Sequence, residues 1–172
     1  MAVDRGAHVD RASHVDRDSR VDRVSHIGLC VADLDASLRF YRDALGFRER
    51  SRLDVAGAHA ARLLELAEAS LHAVYLERDG LRLELLHFEE PRSVGDPAPR
   101  SMNRPGFTHL SLRVTGMADL LERIAAAGGR ALEQTQIDLP GDATTALFVV
   151  DPDGTRIELV EAPGDPAKLP GE

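Results

Sequence analysis

One stretch occurs twice in this chain, as Asp79-Gly80-Leu81-Arg82-Leu83-Glu84-Leu85 and as Asp153-Gly154-Thr155-Arg156-Ile157-Glu158-Leu159, and the duplication restricts the folds open to it. In each copy Asp-Gly offers the positive φ of a tight reversal. The residues that follow alternate, with Leu81, Leu83 and Leu85, or Ile157 and Leu159, on one face of a strand. Arg82 and Glu84, like Arg156 and Glu158, take the opposite face. A carboxylate in the middle of an apolar strand is costly unless something pairs with it. Its return at the same place in a second strand points to a shared partner such as a cation.

The duplication extends beyond the hairpins. A shift of 83 residues lays His26 on His109, Leu29 on Leu112, Val31 on Val114, Leu34 on Met117, Leu38 on Leu121, Ala44 on Ala127 and Gly46 on Gly129. The hairpins match at a shift of 74, so the first half holds nine additional residues, in the Ala58 to Glu68 segment. That Ala- and Leu-rich segment reads as a short helix or an irregular excursion. Alternation predicts strands over Val24 to Val31, Phe47 to Asp54, Leu71 to Glu77 and Leu81 to Phe88 in the first half. In the second it predicts Phe107 to Val114, Ala131 to Thr135, Thr144 to Val150 and Thr155 to Val160. Helical spacing of Leu34, Leu38, Tyr41 and Leu45, with Asp33 or Asp35 as cap and Gly46 as stop, predicts a helix over Asp33 to Leu45. Met117 to Ala127, stopped by Gly128-Gly129, is its counterpart. The expected architecture is therefore α+β: two βαβββ modules, residues 22–90 and 106–161, sharing one core.

The segments outside the modules have a different character. Residues 1–21 belong to a hexapeptide repeat, Val3 to His8, Val9 to His14, Val15 to Arg20 and Val21 to His26, whose first three copies are charged and carry few large apolar groups. Such copies bury too little surface to offset the entropy of ordering, so a disordered tail is expected. Residues 91–105 form a proline-rich linker, and 162–172 a loose C-terminal tail. A formal net charge of −8 without a basic cluster argues against nucleic acid or an anionic membrane as partner. A small-molecule substrate fits better. The one cysteine, Cys30, excludes an intramolecular disulfide framework and a Cys-based zinc site, fits a cytoplasmic location, and is expected to pack as a small buried group.

His26, Glu84, His109 and Glu158 fall at equivalent strand positions of the two modules, as a metal site on a pseudo-twofold axis requires. Two imidazoles and two carboxylates suit one divalent ion, Zn²⁺, Ni²⁺, Co²⁺, Fe²⁺ or Mn²⁺. Arg82, Arg113 and Arg156 share the strand faces of these residues and are candidates for binding an anionic substrate group. Their alternative is to reach solvent or pair with carboxylates of the cleft. Ser111, on the same face as His109, reads as space filling.

With these residues in place the chain resembles the vicinal oxygen chelate superfamily, which includes glyoxalase I, methylmalonyl-CoA epimerase, extradiol dioxygenases, fosfomycin-resistance enzymes and bleomycin-binding proteins. The resemblance covers about residues 22 to 161 and rests on HIGLCVADLDASLRFYRDALGF, GFTHLSLRV and DPDGTRIELVE. It implies paired modules that curl into a half-barrel of mixed sheet around a metal cleft, with the ligand positions falling on His26, Glu84, His109 and Glu158. It also implies a homodimer and sites built either within one chain or across two. Retention of both carboxylates resembles the lyase and isomerase branch more than the ring-cleaving dioxygenases or the metal-free drug-binding proteins, which are the alternatives. In that reading the metal polarises two vicinal oxygens and stabilises an enediolate, while Glu158, or else Glu84, serves as the base.

Overall fold

A computed structural model describes residues 20–139, 141 and 143–168. The expected disordered tail falls, for residues 1–19, outside the described residues, and so does the end of the C-terminal tail. The first module runs β1 (Ile27–Val31), α1 (Leu34–Leu38) continuing into a π-helical turn (Arg39–Ala44), β2 (Arg48–Ala56), α2 (Ala58–Leu64), β3 (Ser70–Arg78) and β4 (Leu81–Glu90). The second runs β5 (Leu110–Val114), α3 (Met117–Ala126), β6 (Arg130–Leu139), β7 (Thr144–Val150) and β8 (Arg156–Glu161). Each module closes its own four-stranded sheet, in the orders β1-β4-β3-β2 and β5-β8-β7-β6. β1 lies parallel to β4 and β5 to β8, and the other neighbours are antiparallel. The α+β class and the paired βαβββ modules are as the sequence predicts, in two open sheets.

The helices hold the two sheets together. Val74, Leu76, Leu83 and Leu85 of the first sheet and Leu147, Val149, Ile157 and Leu159 of the second join Leu38, Phe40, Tyr41, Met117, Leu120 and Ile124 in one buried cluster. Asp33 caps α1 as expected, its carboxylate accepting from the Ala36 amide at 2.9 Å. The expected single helix then widens over Arg39–Ala44, where the Leu45 amide reaches back to the Phe40 carbonyl. Within this wider turn the consecutive residues Phe40 and Tyr41 are both buried. Phe40 packs where a side chain at Gly129 would stand: a Cβ there would lie 2.8 Å from Ile124 Cγ2 and 2.9 Å from Phe40 Cδ2. Val24, expected to start the first strand, lies before it and is exposed.

The two hairpins, alike in sequence, differ in geometry. Arg78 pairs with Leu81, so Asp79 (φ 51°) and Gly80 (φ 82°) form a two-residue turn of the kind Asp-Gly favours. In the second hairpin Val150 pairs with Arg156, leaving residues 151–155 as a longer loop in which Gly154 has φ 86°. The Asp151 carboxylate organises that loop, its Oδ1 accepting from the amides of Asp153 at 3.0 Å and Thr155 at 2.7 Å. The linker is tied down beside it. Arg100 donates to the carbonyls of Pro105 and Phe107, the Arg100 carbonyl accepts from Arg156, and the Pro97 backbone occupies the space a Cβ at Gly154 would need.

Candidate functional site

Each sheet brings its candidate histidine to its candidate glutamate. His26 stands immediately before β1 and His109 immediately before β5, one residue short of the strands expected to contain them. Parallel pairing sets Gly28 beside Glu84 and Ser111 beside Glu158. His26 Nε2 comes to 3.1 Å from Glu84 Oε2, and His109 Nε2 to 3.6 Å from Glu158 Oε2. The side chains of Glu84 and Glu158 are 14% and 31% exposed. The apolar face of each strand meets the core, so the carboxylates occupy the opposite face, as the alternation predicts.

Two donors held about 2.0–2.2 Å from one divalent ion, at octahedral or tetrahedral angles, stand about 2.8–3.6 Å apart, so each His–Glu pair has the span of two neighbouring ligands. The structure forms these pairs separately. Among the described residues of one chain no group of three or more His, Cys, Asp and Glu side chains could hold a metal. The four candidate ligands are thus brought together two by two.

Aromatic rings support both pairs. Tyr75 of β3 pairs in register with Glu84, and its ring meets His26 edge-on, centroids 5.4 Å apart at 82°. Phe148 of β7 pairs with Glu158 and meets His109 at 5.3 Å and 80°. The Tyr75 hydroxyl donates to Glu84 Oε1, and this bond to the carboxylate, with burial and the negative charge beside it, pushes the phenol up to about 12. Ser111, read as space filling, donates to Glu158 Oε2 at 2.6 Å. The sequence reading missed Tyr75 and Phe148 altogether. Their signal is the cross-strand register, which the turn geometry fixes and residue spacing does not reveal.

The segment holding the nine additional residues of the first module carries α2 (Ala58–Leu64). Its Ala60 and Ala61 pack on Leu71, Leu86 and Phe88. Glu84, Leu86 and Phe88 alternate onto one face, so α2 covers the far end of the face that carries Glu84. The arginines are all engaged. Arg82 pairs with Glu77 at 3.0 Å and holds its carboxyl below the usual range, and Arg113 donates to the carbonyls of Ala162 and Pro163. Arg156 lies over the Phe148 ring, 5.9 Å from its centroid, on the face of Glu158. Cys30 is exposed rather than packed, on edge strand β1.

The sequence matches the family described as Glyoxalase/Bleomycin resistance protein/Dioxygenase superfamily over residues 23–159. The chain belongs to this superfamily. Its similarity to the lactoylglutathione lyase of Haemophilus influenzae is 26% identity over 145 residues, covering 80% of this chain and 91% of that one. A probable lactoylglutathione lyase of Synechocystis is 28% identical over 139 residues, covering 79% and 92%. Among solved structures a glyoxalase family protein from Bacillus cereus superposes with a TM-score of 0.73 at 19% identity, over 86% of this chain and 99% of that one, and shows the shared fold. A glyoxylase/bleomycin resistance protein/dioxygenase domain from Frankia, 28% identical, superposes at 0.53 over 84% and 94%. The twin His–Glu contacts fall at corresponding positions of the two modules, each histidine immediately before the first strand and each glutamate in the last. Among the described residues no helix is long and apolar enough to cross a membrane.

Proposed function

We propose that the protein is a metal-dependent lyase or isomerase of the glyoxalase type, acting on a small substrate with two vicinal oxygens. In this reading it works as a homodimer, in which His26 and Glu84 of one copy face His109 and Glu158 of a second. The observation that carries it is the pair of His–Glu contacts at 3.1 and 3.6 Å, each with the span of two metal ligands and neither completed among the described residues of one chain. The relatives named lactoylglutathione lyases support the same chemistry.

When bound, a divalent ion supplies Lewis acidity toward the substrate's oxygens. Every other role falls to this chain. Glu158 takes the proton from the carbon next to the carbonyl and returns it to the neighbouring carbon. Its greater exposure suits that movement better than the setting of Glu84, which is bonded to Tyr75. Arg156, its Cζ 5.9 Å from the Phe148 ring centroid, carries positive charge on the face of Glu158 and in this reading orients an anionic substrate group. Arg82 and Arg113 are bound to Glu77 and to backbone carbonyls, and act on the walls of the site. α2 and the linker border the faces that carry the two pairs.

Anaerobic loading with Ni²⁺, Co²⁺ or Zn²⁺, followed by assay of lactoylglutathione formation, tests the reading. Turnover without oxygen consumption is expected. Fe²⁺-dependent oxygen uptake with a catechol would overturn it in favour of ring cleavage, and retention of no divalent ion would leave a metabolite-binding protein.

A further inference from the structure

Each carboxylate of the two pairs accepts one side-chain hydroxyl, and the two hydroxyls come from opposite sides. Glu84 receives Tyr75 from β3, with Gly28 beside it on β1. Glu158 receives Ser111 from β5, with Phe148 beside it on β7. Tyr75 and Phe148 hold matching register positions and matching edge-on contacts to histidine, so an oxygen present on one ring is absent from the other.

The atoms engaged differ as well. At Glu84 the phenol takes Oε1 while His26 stands against Oε2, so both oxygens are anchored and the carboxylate plane is set. At Glu158 both Ser111 and His109 address Oε2, so the group can turn about that oxygen. A phenol on a ring wedged against imidazole has one direction for its oxygen, whereas a serine hydroxyl rotates to follow its acceptor.

We propose that Tyr75 and Ser111 are positioning residues that give the two carboxylates unequal freedom: Tyr75 locks Glu84 as a fixed ligand, and Ser111 tethers Glu158 while leaving it able to swing. This rests on the metal site of the preceding section. Hydrogen-bond partners of ligands govern metal affinity by about 10–100-fold, so the asymmetry is measurable with the metal alone.

Co²⁺ binding to the metal-free full chain, followed by titration calorimetry and visible absorption, tests it in the wild type and in Tyr75→Phe, Ser111→Ala and Phe148→Tyr, with thermal melts to show that each variant is folded. Tyr75→Phe is expected to weaken Co²⁺ by about tenfold and change the absorption bands, and Ser111→Ala to change affinity by less than about threefold. Phe148→Tyr adds the missing oxygen beside Glu158 and is expected to tighten binding, a gain that loss of packing cannot produce. Equal losses for Tyr75→Phe and Ser111→Ala, or no loss for Tyr75→Phe, would overturn the positioning roles while leaving the metal site standing. Absence of Co²⁺ uptake by the wild type would overturn the metal site itself, and the positioning roles with it.

Discussion

The Tyr41 hydroxyl donates to Asp151 Oδ2 at 2.8 Å, across a sequence separation of 110 residues, and joins the helical turn of the first module to the last hairpin of the second. Both side chains are buried, and burial raises the Asp151 carboxyl above its ordinary range. The same carboxylate holds the 151–155 loop through two amides, so one group serves both the module contact and the loop shape. Tyr41→Phe keeps the ring and removes the donor. It is expected to cost about 1.5–3 kcal/mol, the range for a hydrogen bond to a charged group, read as a lower urea midpoint at unchanged slope. A midpoint equal to that of the wild type would mean that this bond adds nothing net to the junction, where the Ala32 amide also donates to the Asp153 carboxylate at 3.2 Å.

Gly129 makes a second test of that junction. Its missing side chain is the space filled by Phe40 and Ile124. Gly129→Ala is expected to destabilise by about 1–3 kcal/mol through overpacking, measured by the same unfolding curve. Gly164→Ala, at a glycine with φ 90° and nothing near its Cβ, is a comparison that carries backbone strain without a clash.

His72 sets a pH dependence away from the candidate site. Its Nδ1 meets Asp54 at 2.6 Å and its Nε2 meets Glu89 at 3.1 Å, linking β2 to β4 across β3. The bond to Asp54 first, and then that to Glu89, raises the imidazole above its ordinary 6.5. A raised folded-state value means that the contribution is fully present below about pH 6.5 and is lost as pH rises through the folded value. The imidazole proton resonance of His72 is expected to titrate with a midpoint above 6.5. In His72→Gln the melting temperature should lose its decline over that interval, and an unchanged decline would assign it to other groups.

Much of this arrangement is legible in the sequence because duplication acts at the level of whole strands. His26 with His109, and Glu84 with Glu158, can be matched by counting, and alternation puts the carboxylates opposite the core. Tyr75 was hidden because counting fails by one residue across the turns. A shift of 74 lays Tyr75 on Val149, whereas the 151–155 loop slides the register so that Phe148 faces Glu158. The docking of α2 was hidden for another reason. An alanine-rich segment has no marked apolar stripe, so only the apolar side chains of Leu71, Leu86 and Phe88 on the sheet say where it must lie. The widened turn at Arg39–Ala44 likewise follows from fitting Phe40 over Gly129, a contact between modules that helical spacing within one of them does not contain.

Glu158→Ala is expected to abolish turnover and to weaken metal retention, since it removes both the proposed base and a proposed ligand. Glu84→Ala is expected to release the metal as well, followed by elemental content after dialysis. Unchanged metal content and turnover in Glu84→Ala would place the protein with relatives that use fewer ligands, and would remove Tyr75 from the site.

In the proposed dimer one metal site draws His26 and Glu84 from one copy and His109 and Glu158 from another. Mixing two inactive doubles tests it: His26→Ala/Glu84→Ala and His109→Ala/Glu158→Ala are unfolded together, refolded together, loaded with Zn²⁺ and analysed for bound metal. Each double alone should retain none, and the mixture should regain metal, because a mixed pair of copies assembles one intact site. A mixture as empty as its components, beside a wild type that holds about one ion per chain, would contradict the shared site.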